Sequence, residues 1–253
     1  MNKKNCLILS GGTGGHVIPA ISCGNFFIEK GYHCYLFTDQ RGKKYTDSFK
    51  GQTIIVNSSH FSHNFFGKIK AVILLLLGLF QSIKFIIRIR PSICISFGSY
   101  STFVPLTVLV FFRFFGLTKI FLHEQNSIMG KVNSFFIPFV NKIFLNYKKT
   151  IRLKKYYYSN KAIFAGMPMD HNIKLLNRKT EFIKNKKIKI LVSGGSQGAI
   201  SLNKILINLF KKIPKNILNQ IQLSIQCPES CIQEIDNSLN QLLIEYELKN
   251  FFY

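Results

Sequence analysis

The segment Lys3–Gly15, KKNCLILSGGTGG, is echoed by Lys186–Gly198, KKIKILVSGGSQG. Each copy runs from a lysine pair through a short apolar stretch into Ser-Gly-Gly, a hydroxyl residue, one further residue and Gly. The copies lie 183 residues apart, the scale of domains rather than of solenoid repeats. A buried strand that feeds a glycine-rich turn and then a helix opens a doubly wound α/β domain. The echo therefore implies two such domains, and 253 residues are enough to hold them.

Between the copies, apolar runs alternate with helical patterns. His33–Thr38, Thr53–Val56, Ser92–Phe97 and Lys119–His123 read as strands. Val132–Val140 and Asn160–Ala165 complete a first domain, residues 1–165. After the second turn come a helix over Ala199–Lys212, a strand over Ile221–Gln226, a helix over Glu229–Tyr246 and a final apolar Phe251-Phe252-Tyr253. That βαβαβ order is about half a doubly wound domain, so residues 166–253 are expected to form an incomplete second one.

Composition narrows the partners. The chain carries 34 basic and 11 acidic residues, a formal charge of +23. Such a field favours anionic partners: phosphates, nucleic acid or an anionic membrane face. The basic residues are scattered through a sequence crowded with Lys, Asn, Ile and Phe, as AT-rich coding produces. No nucleic-acid-reading motif accompanies them, so nucleic acid is not an expected partner. Of the six cysteines only Cys227 and Cys231 are close, with no histidine pair at zinc-finger spacing, so free thiols in a reducing cytosol are expected. No signal-peptide pattern opens the chain.

Two apolar stretches, Ala71–Phe80 and Phe103–Leu117, fall short of the roughly 18 uninterrupted apolar residues of a membrane span. A buried helix is the default expectation for each. The alternative is an apolar patch touching lipid. Lys68, Lys70, Lys84, Arg88 and Arg90 flank the first stretch, a pattern suited to an interfacial helix beside anionic headgroups.

A glycine-rich turn at a helix N-terminus presents backbone N–H groups to an anion. The first turn does not fit G-x-G-x-x-G, because Val17 stands at the third glycine position. Asp39, at the end of the second strand, falls where a dehydrogenase binds ribose, which keeps a dinucleotide-binding alternative open. His16 follows the first turn directly. It is either a neutral imidazole able to take a proton or a histidine that caps the helix or bonds a backbone carbonyl. His123-Glu124-Gln125-Asn126 ends a strand, where open α/β sheets bind ligands and where these side chains could bond sugar hydroxyls or a base. No Asp-x-Asp pair is present, so a metal–diphosphate clamp is not expected, and no cofactor is assigned.

Five segments, GGTGGHVIPA (Gly11–Ala20), SFGSYST (Ser96–Thr102), HEQNSIMGKVNSF (His123–Phe135), GMPMD (Gly166–Asp170) and SGGSQGAISLN (Ser193–Asn203), resemble in order and spacing those of the bacterial MurG family. The resemblance covers essentially the whole chain. It implies the glycosyltransferase B architecture of two Rossmann-like domains. It also implies an inverting transfer of N-acetylglucosamine (GlcNAc) from UDP-GlcNAc to the 4-hydroxyl of undecaprenyl-linked lipid I, giving lipid II for peptidoglycan. Family members work peripherally at the cytoplasmic face of the bacterial inner membrane, in cell-wall biogenesis, cell shape and cell division.

Carried over by motif, His16 is the base, and Thr13, Gly14, Gly15, Asn126 and Ser196 contact UDP-GlcNAc. Gly11, Gly12, Gly98, Ser99, Tyr100, Gly194, Gly195, Gln197 and Gly198 form phosphate loops, and His123, Glu124 and Gln125 offer side chains to substrate. The sequence departs from the family at two points. Ser99 replaces a glycine, and Asp170 stands where the family has a donor-binding arginine, which reverses the charge. The family's chains also run on beyond the equivalent of Tyr253. A non-catalytic, membrane-associated remnant that keeps the phosphate cradle is therefore the alternative to an active transferase.

Overall fold

Cys6, Leu7, Ile8 and Leu9 have no exposed surface, which places strand β1 (Asn5–Leu9) in the middle of a sheet covered on both faces. Alternation splits them. Cys6 and Ile8 pack with Val17, Ala20 and Ile21 of helix α1 (Gly14–Glu29) on one face. Leu7 and Leu9 join the opposite core, with Ile86 and Ile89 of α2 (Phe65–Ile89) and Leu106 and Leu109 of α3 (Phe103–Phe114). Full burial of each such aliphatic side chain contributes about 1.5–3 kcal/mol. A charge at Ile8 would strand an unpaired ion in that core.

The computed structural model describes residues 4–58, 65–170, 173, 187–194, 200–242 and 244–249. The chain divides into two units, Met1–Leu176 and Asn177–Tyr253. In the first, β2 (His33–Thr38), β3 (Gln52–Ile55), β4 (Ile93–Ser96), β5 (Lys119–Glu124), β6 (Lys142–Leu145) and β7 (Ala162–Phe164) join β1 in a seven-stranded sheet. Its order is β3-β2-β1-β4-β5-β6-β7, and every pairing is parallel. Short helices α4 (Lys131–Phe136) and α5 (Lys155–Asn160) follow β5 and β6. From β1 the chain winds outward through β2 to β3, then returns to β4 on the other side of β1. That reversal opens a crevice at the carboxyl ends of β1 and β4, where doubly wound sheets bind ligands.

The second unit repeats the opening of the first. Strands β8 (Ile188–Val192), β9 (Ile221–Gln226) and β10 (Glu245–Lys249) form a parallel sheet of order β10-β9-β8, as β3-β2-β1 do. Helices Ile200–Phe210 and Ile232–Asn240 close its core through Ile207, Phe210, Ile235 and Leu239.

Three expectations need correction. The helix expected over Glu229–Tyr246 is a 3-10 turn at Glu229–Cys231 and an α-helix that ends at Asn240. Its last residues belong to β10, where Tyr246 and Leu248 alternate with exposed Glu245, Glu247 and Lys249 at the period of a strand. The third strand of this unit is therefore β10; Phe251-Phe252-Tyr253 lie outside the described residues. Strand β6, with only four residues, escaped the sequence reading altogether.

The third correction concerns α2, which is not a buried helix. Phe66, Ile69, Val72, Ile73, Leu76, Leu77 and Phe80 are exposed, and the helix over Phe66–Ile89 is long and apolar enough to cross a bilayer by length and composition. Its other face is spent on the domain: Leu79, Ile83, Phe85, Ile86 and Ile89 pack into the core. In α3 the division is similar, with Leu106, Val108 and Leu109 buried while Phe111 and Phe114 are exposed.

Candidate active site

The turn after β1 is held from below by an acid. The Asp39 carboxylate accepts the Gly12 and Gly42 backbone N–H groups, each at 2.9 Å, and two bonds from Arg41 at 3.0 and 2.8 Å. Burial alone would raise the Asp39 carboxyl; the bonds from Gly12, Arg41 and Gly42, with the Arg41 charge, outweigh it and hold it below the usual carboxylate range. A carboxylate so engaged is a brace for the turn, which removes the ribose-binding acid that the dinucleotide alternative required.

Gly11 sits against Ser101, and Gly12 turns the chain with φ +82°. Thr13 is extended, and α1 starts at Gly14 with no side-chain cap and no acid in its first turn. The first N–H groups of a helix have no partner within it, so this end is open to an anion. Gly14 is buried and Gly15 exposed.

The turn after β4 faces it. Gly98 (φ +77°) is followed by Ser99 at φ +83°, ψ 153°, a conformation that side chains disfavour. The departure from glycine at Ser99 has thus kept the glycine backbone. Gly12, Thr13, His16, Arg41, Gly98, Ser99, Tyr100, Glu124, Asn126, Gly130, Lys131, Val132 and Asn133 line a cavity of about 310 Å³.

His16 occupies the first turn of α1. Its Nδ1 lies 2.9 Å from the Phe97 carbonyl oxygen and 2.9 Å from Gln125 Oε1. A carbonyl can only accept, so in the neutral ring Nδ1 carries the proton and Nε2 keeps its lone pair. Among the described residues no hydrogen bond engages Nε2. The two readings of His16 are therefore compatible: bonding a backbone carbonyl is what leaves a basic nitrogen available.

The strand-end quartet divides. His123, Glu124 and Gln125 are buried, and their hydrogen bonds run to protein. The His123 Nε2–H donates to the Gly166 carbonyl at 2.9 Å, and burial pushes this imidazole below its ordinary range despite that bond and the nearby Glu124. Glu124 accepts from the Asn126 and Gly130 backbones at 3.1 and 2.9 Å and from the Asn126 and Asn133 side chains at 3.2 and 2.9 Å. These bonds order the loop leading into α4. Of these three expected substrate contacts, Glu124 lines the cavity while His123 and Gln125 do not: β5 is an interior strand, and its end is buried under the loop it supports. Asn126 is exposed at the cavity edge.

Five cavity residues, Arg41, Gly130, Lys131, Val132 and Asn133, are not among the site residues expected from the sequence. Arg41 and Lys131 bring positive charge, and Asn133 Oδ1 is buried with no hydrogen-bond partner among the described residues. Lys131 and Asn133 sit inside HEQNSIMGKVNSF, so the motif held the signal; Arg41 had none beyond its place two residues after Asp39.

In the second unit, the Ser193 hydroxyl donates to Gln226 Oε1 at 2.8 Å, and Gly194 is half-buried. Gly195, Ser196, Gln197 and Gly198 lie outside the described residues. Asp170, in the first unit, is exposed.

A crevice between two glycine turns at the reversal of a parallel sheet, bordered by a histidine with a free basic nitrogen, is a group-transfer site in outline. Known proteins give it a family. Residues 6–145 match the Glycosyltransferase family 28 N-terminal domain. The UDP-N-acetylglucosamine--N-acetylmuramyl-(pentapeptide) pyrophosphoryl-undecaprenol N-acetylglucosamine transferase of Rickettsia bellii is 31% identical over 98% of this chain and 68% of its own length. The protein of the same name from Rickettsia felis is 32% identical over 98% and 69%. The crystal structure of MurG from Acinetobacter baumannii superposes with a TM-score of 0.68 at 17% identity, covering 98% of this chain and 68% of that one. The chain thus spans about two thirds of the length of these relatives. With parallel sheets in both of its α/β units, it has the glycosyltransferase B fold and belongs to glycosyltransferase family 28, in the MurG group of N-acetylglucosamine transferases.

Proposed function

We propose that this chain transfers GlcNAc from UDP-GlcNAc to the 4-hydroxyl of the muramoyl sugar of lipid I, forming lipid II. The observation that carries this reading is the His16 imidazole, tied at Nδ1 and free at Nε2, on the rim of a cavity walled by two glycine turns. The hydroxyl oxygen attacks the anomeric carbon from the face opposite UDP. Its proton passes to His16 Nε2, and the bond to the diphosphate oxygen breaks with its electron pair leaving on UDP. The α1 N-terminus, Arg41 and Lys131 supply positive potential for the acceptor's pyrophosphate beside Gly11, Gly12, Gly98, Ser99 and Tyr100. Thr13, Gly14, Gly15 and Asn126 serve the donor sugar. In the second domain, Gly194, Gly195, Ser196, Gln197 and Gly198 serve its nucleotide diphosphate.

The acceptor's chemistry extends the reading to a membrane. An apolar groove of about 740 Å³ between α2 and α3 shares Tyr100, Lys131 and Val132 with the polar cavity. A pyrophosphate in the cavity would lead its polyprenyl chain straight into that groove. The outer face of α2, flanked by the exposed Lys68, Lys70, Lys84, Arg88 and Arg90, then rests on anionic lipid at the cytoplasmic face of the inner membrane. With its inner face in the domain core, α2 lies on the bilayer rather than across it. This reading puts the chain in peptidoglycan synthesis, and so in cell-wall growth, shape and division.

The test is to incubate the purified chain with labelled UDP-GlcNAc and a lipid I analogue. Label should appear in the lipid product. His16→Ala should cut that transfer by about 10²–10⁴-fold while UDP-GlcNAc affinity is kept. Donor binding without any transfer by the unmodified chain would leave the non-catalytic alternative in possession.

A further inference from the structure

We infer that Gln125 and His123 are positioning residues that, together with the Phe97 carbonyl, hold the tautomer and orientation of the His16 ring through a three-residue relay. The relay can be read link by link. His16 Nδ1 faces Gln125 Oε1 at 2.9 Å; Gln125 Nε2 faces His123 Nδ1 at 3.3 Å and the His123 carbonyl at 3.1 Å; His123 Nε2 faces the Gly166 carbonyl at 2.9 Å.

Ring tautomers and amide orientations are ordinarily open choices. Here backbone carbonyls, which only accept, close each of them. The Gly166 carbonyl puts the His123 proton on Nε2 and leaves Nδ1 as an acceptor. The His123 carbonyl requires the Gln125 amide nitrogen on its side, which also serves His123 Nδ1. Gln125 Oε1 must then point at His16, where with the Phe97 carbonyl it receives the Nδ1 proton. A flipped Gln125 amide would set N–H against N–H at His16 and carbonyl against carbonyl at His123.

Packing holds the relay in place. The Phe97 and His123 rings stack with centroids 5.0 Å apart, and Phe97, His123 and Gln125 are all buried. Gln125 and His123 touch no reacting atom in this account. Their role is to keep the proton of the neutral His16 ring on Nδ1 and its Nε2 aimed, so that the ring need not reorient when the acceptor arrives.

The catalytic meaning of the relay rests on the proposed transfer, but its geometry does not, and the experiment separates the two. Histidine labelled with ¹⁵N in the native chain, the His16 and His123 ring signals assigned with His16→Gln and His123→Gln, reads both tautomers directly at pH 8. The relay requires His16 to be protonated at Nδ1 and bare at Nε2, and His123 the reverse. Either ring in the opposite tautomer overturns it, whether or not the chain transfers sugar.

Gln125→Met keeps the volume and deletes the hydrogen bonds. It should raise the Nε2-protonated share of His16 and lower kcat about tenfold, the scale of one lost orienting bond, with KM for UDP-GlcNAc within about twofold. A folded Gln125→Met chain with the wild-type His16 spectrum overturns the positioning role.

Discussion

Gly11 and Ser101 approach so closely that a β-carbon on Gly11 would lie 2.0 Å from Ser101 Oγ and 2.9 Å from its Cβ. The turn after β1 and the turn after β4 are thus built against each other. Gly11→Ala should destabilise the first unit by about 1–3 kcal/mol, the usual cost of overpacking. Ser101→Gly in the same chain should recover part of the loss. Urea unfolding of the two variants decides it: an unchanged midpoint for Gly11→Ala would show that the turns can part without cost.

Ser99 holds a backbone that glycine adopts freely, at an expense of about 1–3 kcal/mol for a residue with a side chain. Glycine would give back roughly 0.5–1 kcal/mol through its greater freedom in the unfolded chain. Relief outweighs that loss, so Ser99→Gly should stabilise the protein by about 1 kcal/mol. Equilibrium denaturation measures the difference, and a destabilised variant would mean that the Ser99 hydroxyl, 3.4 Å from that of Ser101, does more than the backbone costs.

His123 gives stability a pH dependence. Its folded pKa is depressed by burial, so between the unfolded value of about 6.5 and the lower folded one the unfolded chain binds more protons. The contribution is whole above about pH 6.5 and is lost as pH falls through the folded value. Asp39, also depressed, adds a separate loss below about pH 4. Thermal melts from pH 7.5 to 5 should show the first slope, and His123→Gln should flatten it. A variant as pH-sensitive as the native chain would assign that slope to another group.

Ile73, Leu77 and Phe80 follow helical spacing on the exposed face of α2. Replacing all three with Glu should leave the melting temperature near its starting value, since none is buried. It should weaken co-sedimentation with anionic vesicles at least about tenfold. Binding by the native chain should also fall as salt rises. Equal vesicle binding by native and substituted chains would move the membrane contact elsewhere.

Local pattern carried much of this protein. The boundaries of β2 and β9 were read from the sequence as they stand in the structure, and those of β3, β4 and β5 within a residue. Their apolar runs, and the glycine turns after β1 and β4, are short-range signals. The echo of β1 at β8 foretold two sheets that begin alike, with the strand order β3-β2-β1 matched by β10-β9-β8. Where pattern was thin, reading failed. Three apolar residues at β6 do not separate strand from helix, and the amphipathic stripe of helix Ile232–Asn240 ran on past its true end into β10.

The site's chemistry was decided at longer range. His16 meets Phe97 across 81 residues and Gln125 across 109, and Gly12 meets Asp39 across 27. No periodicity records such partners, so a list of polar residues could not say which would face a ligand and which would hold up the loop. Nor could hydropathy tell that one face of α2 is buried and the other bare. The sequence alone determined that there would be glycine turns, a histidine after the first, and a parallel sheet to bear them. Only the tertiary structure decided which nitrogen of that histidine is left to take a proton, because backbone carbonyls brought together by the sheet settle where the hydrogens go.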